Sequence, residues 1–328
     1  MRLHEDSALF REAILATAQL KGIREIYIEK DYWVTFALHT LFHDAIGKEL
    51  VFKGGTALLK CFHVINRFSE DIDLVVIRKT GESGNQLKSK IRKISACINH
   101  TLPETEIPGL SNKVGMIRKT AHVYPRLFDG LFGQVRDTII AEVSWLGHFE
   151  PYIQAKVHSF IYEMMRERNQ LQLARDFGMD PFEVQVLCQE RTLCEKIMSL
   201  VRFSHSADPV SDLRNKIRHI YDLQAMLQDT AINSFLHSDA FQSMLLRVAQ
   251  DDFVGFKNNN GWLLFHPETA IVFTDVEGTW SKIRNAYTGG FNELVFGPLP
   301  DESVLIKTLH TIKTRLRQVN WILQTHQR

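Results

Sequence analysis

The stretch VFKGGTALLKCFHVINRFSEDIDLVV, residues 51–76, is the most informative part of the sequence. It opens with an apolar pair, passes through a Gly-Gly-Thr turn and closes with an apolar run that contains Asp71 and Asp73. Alternate residues of a strand share a face, so both aspartates point the same way. Adjacent carboxylates repel each other and are costly to desolvate, and a bound divalent cation removes both costs. The pattern therefore predicts a Mg²⁺ (or Mn²⁺) site with Asp71 and Asp73 as ligands.

The turn before the aspartates predicts a phosphate site. Gly54 and Gly55 let backbone N–H groups at the start of a helix approach an anion closely. Thr56 adds a hydroxyl donor, and Lys53, which precedes the turn, is a further candidate for phosphate binding. The turn is not a Walker A loop, because the GKS or GKT ending is absent. Each half alone is usually structural, but strand, turn, helix and aspartate strand in this order predict metal-assisted nucleotidyl or phosphoryl transfer from an NTP.

The segment FKGGTALLKCF…RFSEDIDL resembles the signature of the AbiEii/AbiGii (MenT-like) nucleotidyltransferase toxins, which belong to the DNA polymerase β-like superfamily. Further segments resemble the same family: IEKDYWVTFAL, LCEKIMSLVRF followed by KIRHIYDLQAML, and FGPLPDESVLIKTL. The resemblance implies an α+β fold: a polymerase β-like mixed sheet flanked by helices, then a mainly helical C-terminal half. It also implies the toxin of a bacterial toxin–antitoxin or phage-defence system. The implied acceptor is RNA, such as the 3′ end of a tRNA, and the implied partner is an AbiEi-like antitoxin.

A third carboxylate is a candidate for the same site. Glu142 lies in the β-like run TIIAEVSW, where a carboxylate needs a metal, a cation or water to be tolerated. As a third acid it would hold a second metal ion or take the proton of the attacking hydroxyl. The alternative is an outward-facing strand residue in ordinary alternation.

By resemblance, Lys196 and Asp222 in the helical half are further catalytic candidates. Lys196 would neutralise triphosphate charge, and Asp222 would orient that lysine or a metal-bound water. The helical pattern places Asp222 on the polar side of its helix with Arg218 and His219. The alternative is a solvated lysine and an interhelix salt bridge. His219 departs from the Arg-Asp pair of many relatives, which leaves Asp222 to carry that motif.

The charged residues of IEKDYW and SEDID receive a structural interpretation. Lys30 and Asp31 are expected at a helix start, where an aspartate is favoured by the helix dipole. The alternative for Lys30 is an approach to the nucleotide. Glu70 is expected on the face opposite the aspartates of the metal site.

The apolar pattern changes near residues 180–190, and two domains are expected. These are a nucleotidyltransferase α/β domain with N-terminal helices at 1–185 and a mainly α-helical domain at 186–328, which contributes Lys196 and Asp222 to the active-site cleft. Predicted helices of the first half span 5–21, 29–43, 55–64 and 84–101. Its predicted strands are LVF before Gly54, 71–77, KVGMIRK, AHVYPRLF and RDTIIAEVSW. In the second half, helical periodicity covers 190–203, 212–227, 232–250 and 302–323, with loops such as KNNNGW between the last two.

Composition bounds the remaining choices. The 39 basic and 38 acidic residues nearly cancel, so no strong overall attraction to nucleic acid is indicated. The four cysteines lack metal-ligand or CxxC spacing, and no signal peptide or membrane span is indicated. We expect a cytoplasmic protein with free thiols and no membrane partner. Two rivals remain: a nucleotidyltransferase that modifies a small molecule or a protein, and a degenerate, non-catalytic binding module.

Overall fold

The computed structural model describes residues 1–112, 115–130, 133–256 and 259–323. The first two residues of the predicted strand KVGMIRK and of the predicted loop KNNNGW lie outside these ranges. The chain divides into two compact units, Met1–Leu187 and Cys188–Arg328. Within the described residues, no helix combines the length and the apolar character that crossing a bilayer requires.

The first unit contains a mixed sheet of seven strands among its described residues, in the order β3-β4-β5-β2-β1-β7-β6. The strands are β1 Leu50–Lys53, β2 Ile72–Val76, β3 Glu104–Thr105, β4 Ile117–His122, β5 Ile139–Ser144, β6 Tyr152–Val157 and β7 Phe182–Leu187. β2 pairs antiparallel with β1 and parallel with β5, and β1 pairs parallel with β7. β2, which carries the aspartate motif, therefore lies in the interior of the sheet.

The first unit also contains six α-helices among its described residues. They are α1 Ser7–Lys21, α2 Glu25–His43, α3 Gly54–Lys60, α4 Gly84–Thr101, α5 Phe160–Glu167 and α6 Leu171–Asp176. α4 begins at a reciprocal capping box between Ser83 and Gln86, which satisfies donors of its first turn. α3 ends before the predicted residue 64, because His63 has a φ of 54°, outside the right-handed helical region.

The second unit is helical. Its helices are α7 Gln189–Ser204, α8 Pro209–Asn215, α9 Ile217–Met226, α10 Thr230–Leu236, α11 Asp239–Gly255, α12 Ile271–Thr274, α13 Val276–Ala286 and α14 Glu302–Leu316. The helix predicted over 212–227 breaks at Lys216, which leaves helical dihedrals (φ −103°, ψ 14°) and lies over the ring of Phe203. α14 ends earlier than predicted, because the chain after Leu316 continues in tighter hydrogen-bonded turns.

The structure confirms an α+β fold with a mixed sheet and a mainly helical second half, and it corrects several strands. The run AHVYPRLF is strand only through His122, ahead of Pro125, which has no backbone donor for a ladder. β6 and β7 were not predicted. β6 is an edge strand whose side chains are mostly exposed, so it lacks the apolar alternation that identifies a strand.

Candidate active site

Four charged residues form a row across neighbouring strands of the first unit. Strand register places Lys53 of β1 opposite Asp73 of β2, Asp73 beside Glu142 of β5, and Glu142 opposite Lys119 of β4. Register partners lie on the same face of a sheet, so their side chains project together. Three of the predicted site residues are thus brought side by side, and Lys119 joins them only through the pairing of β4 with β5.

The row contains more carboxylate than its lysines balance. Burial, and then the neighbouring carboxylates of Asp71 and Glu142, raise the pKa of Asp73 to about 7, although Lys53 and Lys119 oppose the shift. Lys119 Nζ lies 3.1 Å from Glu142 Oε2 and therefore engages the outer carboxylate. A proton or an added cation at Asp73 would relieve the repulsion within the group.

Asp71 precedes the first residue of β2 and is held by its backbone. The Thr56 hydroxyl donates to the Asp71 carbonyl at 2.6 Å and lies 3.0 Å from Ser69 Oγ. Asp71 Oδ1 is buried and accepts no hydrogen bond from the described residues, with Arg136 Nη1 3.9 Å away. Thr56 is predicted to donate a hydrogen bond to phosphate, but in this structure its hydroxyl donates to the backbone of Asp71 and positions the aspartate segment.

The glycine turn packs directly against the aspartate strand. Gly54 has a φ of 80°, a left-handed conformation that favours glycine. A Cβ on Gly54 would lie 2.3 Å from Asp73 Oδ2, and a Cβ on Gly55 would lie 2.6 Å from Arg67 Nη2. The turn and the aspartate strand are therefore in contact at Gly54, and a side chain at Gly54 would push them apart.

The oxygen atoms of this site fit a hard divalent cation. Asp71 offers a buried oxygen without a hydrogen bond, and Asp73 is a carboxylate whose ionisation lacks sufficient compensation. No group of three or more His, Cys, Asp or Glu side chains in the described part of the chain could by itself hold a metal ion. A cation here would need further oxygen ligands, as Mg²⁺ sites commonly do when water and substrate phosphates complete the shell.

A match to a family model shows the family to which the chain belongs. The family model described as nucleotidyl transferase AbiEii toxin, type IV toxin–antitoxin system, matches residues 37–300. The chain belongs to the AbiEii family. It is therefore a nucleotidyltransferase toxin of the type IV toxin–antitoxin class, which implies an NTP substrate and an antitoxin partner.

Two other comparisons were made, one with solved structures and one with curated proteins. The chain is similar to MenT4, a nucleotidyltransferase toxin from Mycobacterium tuberculosis H37Rv, with a TM-score of 0.45 and 15% sequence identity over 94% of this chain and 95% of that chain. No curated protein gives a significant match to the sequence.

In this AbiEii-family chain, helix α2 holds the segment between α3 and β2 at both of its ends. α2 begins at Glu25, so Lys30 and Asp31 lie inside the helix and not at its start, and both are buried. Lys30 Nζ donates to the Glu70 carboxylate, next to Asp71, and to the Thr138 carbonyl at 2.7 Å.

Asp31 holds the other end of this segment, where α3 ends. It accepts from Lys60 Nζ, at the end of α3, at 2.6 Å, and from the Phe160 N–H at 2.8 Å. The signal in the sequence was a run of charged residues, Glu29 to Asp31, within an otherwise apolar stretch. Such residues are almost never fully buried unless they are paired, and the sequence shows neither the burial of this run nor its partners.

The remaining predicted pair, Lys196 and Asp222, lies within the second unit. Lys196 Nζ of α7 donates to Asp222 Oδ2 of α9 at 2.7 Å, and both side chains are buried. The expectation that Asp222 lies on the polar side of its helix is wrong, since its side chain is fully buried. Asp222 can be buried because Lys196, on another helix, compensates the charge of its carboxylate.

Proposed function

We propose that this AbiEii-family toxin is a Mg²⁺-dependent enzyme that transfers an NMP from an NTP to a hydroxyl of an RNA, such as the 3′ end of a tRNA; Mn²⁺ would serve as well. The observation that carries the proposal is the position of Asp73. It lies between the Gly54 turn and the Glu142 carboxylate, with its pKa raised to about 7 by burial and like charge. Such a site is suited to an external cation.

The residues of the chain divide the work of binding. Asp71 and Asp73 would hold the divalent cation, which when bound supplies charge neutralisation for the triphosphate and the leaving group. Gly54 and Gly55 would donate their backbone N–H groups to the phosphate oxygens, and Lys53, beside Asp73 in the register, would face the same charge.

The transfer itself needs an attacking hydroxyl and a proton acceptor. The acceptor oxygen bonds to the α-phosphorus while the bond to the β-phosphate oxygen breaks, and pyrophosphate leaves. Glu142 is the proposed proton acceptor, since its register position places it beside Asp73 and its side chain remains partly exposed. Lys119, 3.1 Å away, would compensate its charge before the proton arrives.

The wider assignments rest on the family. RNA as the acceptor and an AbiEi-like antitoxin as the partner follow from the resemblance. We also propose that the nucleotidyltransferase domain and the helical domain meet between residues 185 and 186. We further propose that Lys196 and Asp222 take part in catalysis.

The test uses the full-length protein with total RNA, Mg²⁺ and NTPs labelled at the α-phosphate. We expect labelled RNA with the native protein and background labelling with Asp73→Asn, while Glu183→Gln, an exposed strand position, stays active. Label on protein or on a small molecule would instead support the rival acceptor. Full labelling by Asp73→Asn would overturn the metal assignment, and absence of NTP and Mg²⁺ binding in calorimetry would support a non-catalytic module.

A further inference from the structure

Arg136 is fixed by its backbone at the edge of the candidate site. Its N–H donates to both carboxylate oxygens of Glu70 at 3.2 Å, and its carbonyl accepts from Lys30 Nζ. The buried Lys30–Glu70 pair therefore holds two segments at once: the residue before Asp71 and the residues that lead into β5.

The side chain of Arg136 is placed very differently from its backbone. It is 46% exposed, and its Nη1 lies 3.9 Å from Asp71 Oδ1, too far for a hydrogen bond. Among the described residues, this long ion pair is the contact that the guanidinium makes with a carboxylate. Lys30, in contrast, donates at short range to Glu70, Arg136 and Thr138 and has no donor left to offer a ligand.

We propose that Arg136 binds the polyphosphate of the nucleotide, a role that rests on the function proposed above. Without a metal ion, its guanidinium partly neutralises Asp71. When a divalent cation binds at Asp71, two like charges compete for one carboxylate, and the half-exposed guanidinium moves to the phosphate oxygens that arrive with the cation. Its planar set of N–H donors suits phosphate better than a lysine does.

This role predicts two effects of opposite sign in Arg136→Gln. Nucleotide binding should weaken about tenfold or more, because a charge-assisted contact to phosphate is lost. Mn²⁺ binding to the nucleotide-free protein should tighten about two- to fivefold, because a competing positive charge near Asp71 is removed. A general loss of structure would weaken both.

The experiment measures both affinities on the full-length chain. Mn²⁺ is titrated without nucleotide and followed by electron paramagnetic resonance. The α,β-methylene analogues of ATP, CTP, GTP and UTP are then titrated in turn with Mg²⁺ present, by calorimetry. Arg126→Gln is the matched control: Arg126 is also a partly exposed arginine of this unit, 3.5 Å from Asp137, and its loss should leave both affinities unchanged. Arg136→Lys should bind nucleotide with intermediate affinity, since it keeps the charge and loses the planar donors.

The outcomes separate the two proposals. Weaker nucleotide binding with tighter Mn²⁺ binding in Arg136→Gln supports the role of Arg136. If the native protein binds both ligands and Arg136→Gln equals it, or loses both affinities together, the role of Arg136 is overturned and the function stands. If the native protein binds neither Mn²⁺ nor any nucleotide, the proposed function fails and the role of Arg136 fails with it.

Discussion

Glu70 and Asp73 lie in the same short segment, yet the protein treats their carboxylates in opposite ways. Glu70 is buried against Lys30 and also accepts the Arg136 N–H. Asp73 is surrounded by the carboxylates of Asp71 and Glu142, and its pKa rises to about 7. The two roles can therefore be separated by their partners: a buried carboxylate paired with an internal cation stabilises the fold, whereas one placed among like charges suits an external cation.

The largest effect on stability is expected for Glu70→Ala, which removes the partner of Lys30. We expect the free energy of unfolding to fall by about 3–5 kcal/mol, because Lys30 would remain buried without its counter-charge. Urea unfolding at neutral pH measures the change. Asp73→Asn should stay within about 1 kcal/mol of the native protein, since it removes a charge that burial and the neighbouring carboxylates disfavour. Equal losses in the two variants would contradict the division of roles.

The Lys196–Asp222 pair extends the same question to the second unit. This buried ion pair is proposed to act in catalysis, although a carboxylate with an internal cation is expected to be structural. Lys196→Met should cost about 2–3 kcal/mol, because Asp222 loses its 2.7 Å donor but keeps other interactions. Urea unfolding and RNA labelling are measured together.

The double variant Lys196→Met with Asp222→Leu separates architecture from catalysis. It should recover most of the lost stability, because neither buried charge of the pair remains. If the pair is catalytic, labelling remains at background in this folded protein. Native labelling by the double variant would show that the pair is architectural only.

A smaller effect is expected at Glu163, a partly buried carboxylate that accepts hydrogen bonds from His158 and Lys21. Burial opposes its ionisation, but hydrogen bonds from His158 at 2.9 Å and Lys21 at 2.5 Å prevail and lower its pKa to about 2. A lowered carboxylate pKa adds stability above the ordinary value of 4.5, and this stability is lost as the pH falls toward 2. Glu163→Gln should therefore lower the free energy of unfolding at pH 7 by about 1–2 kcal/mol.

The pH dependence is the decisive part of that measurement. The difference between native protein and Glu163→Gln should be constant above about pH 5 and shrink on further acidification. Urea unfolding between pH 3 and 7 follows it. A difference that grows at acid pH would mean that Glu163 is not stabilised as a carboxylate.

Local signals were sufficient for the strand, turn, helix and aspartate strand of residues 51–76, and for most helices. Gly54 adopts a positive φ that glycine favours, and Asp73 alternates with apolar neighbours within one strand. The candidate site was less accessible beyond this segment. Arg136 carries no local pattern, and Asp222 was assigned to the wrong side of its helix, because its cation comes from another helix.

Conformational rules that act over a few residues were sufficient to predict the glycine turn and the aspartate strand from the sequence, and the resemblance of its motifs implied the family and the α+β class. Which charges are compensated depends on the tertiary structure. Strand register brought Glu142 and Lys119 to Asp73, and α2 brought Lys30 to Glu70. A buried charge is tolerated or costly according to partners that are distant in the chain, and no local pattern encodes those partners.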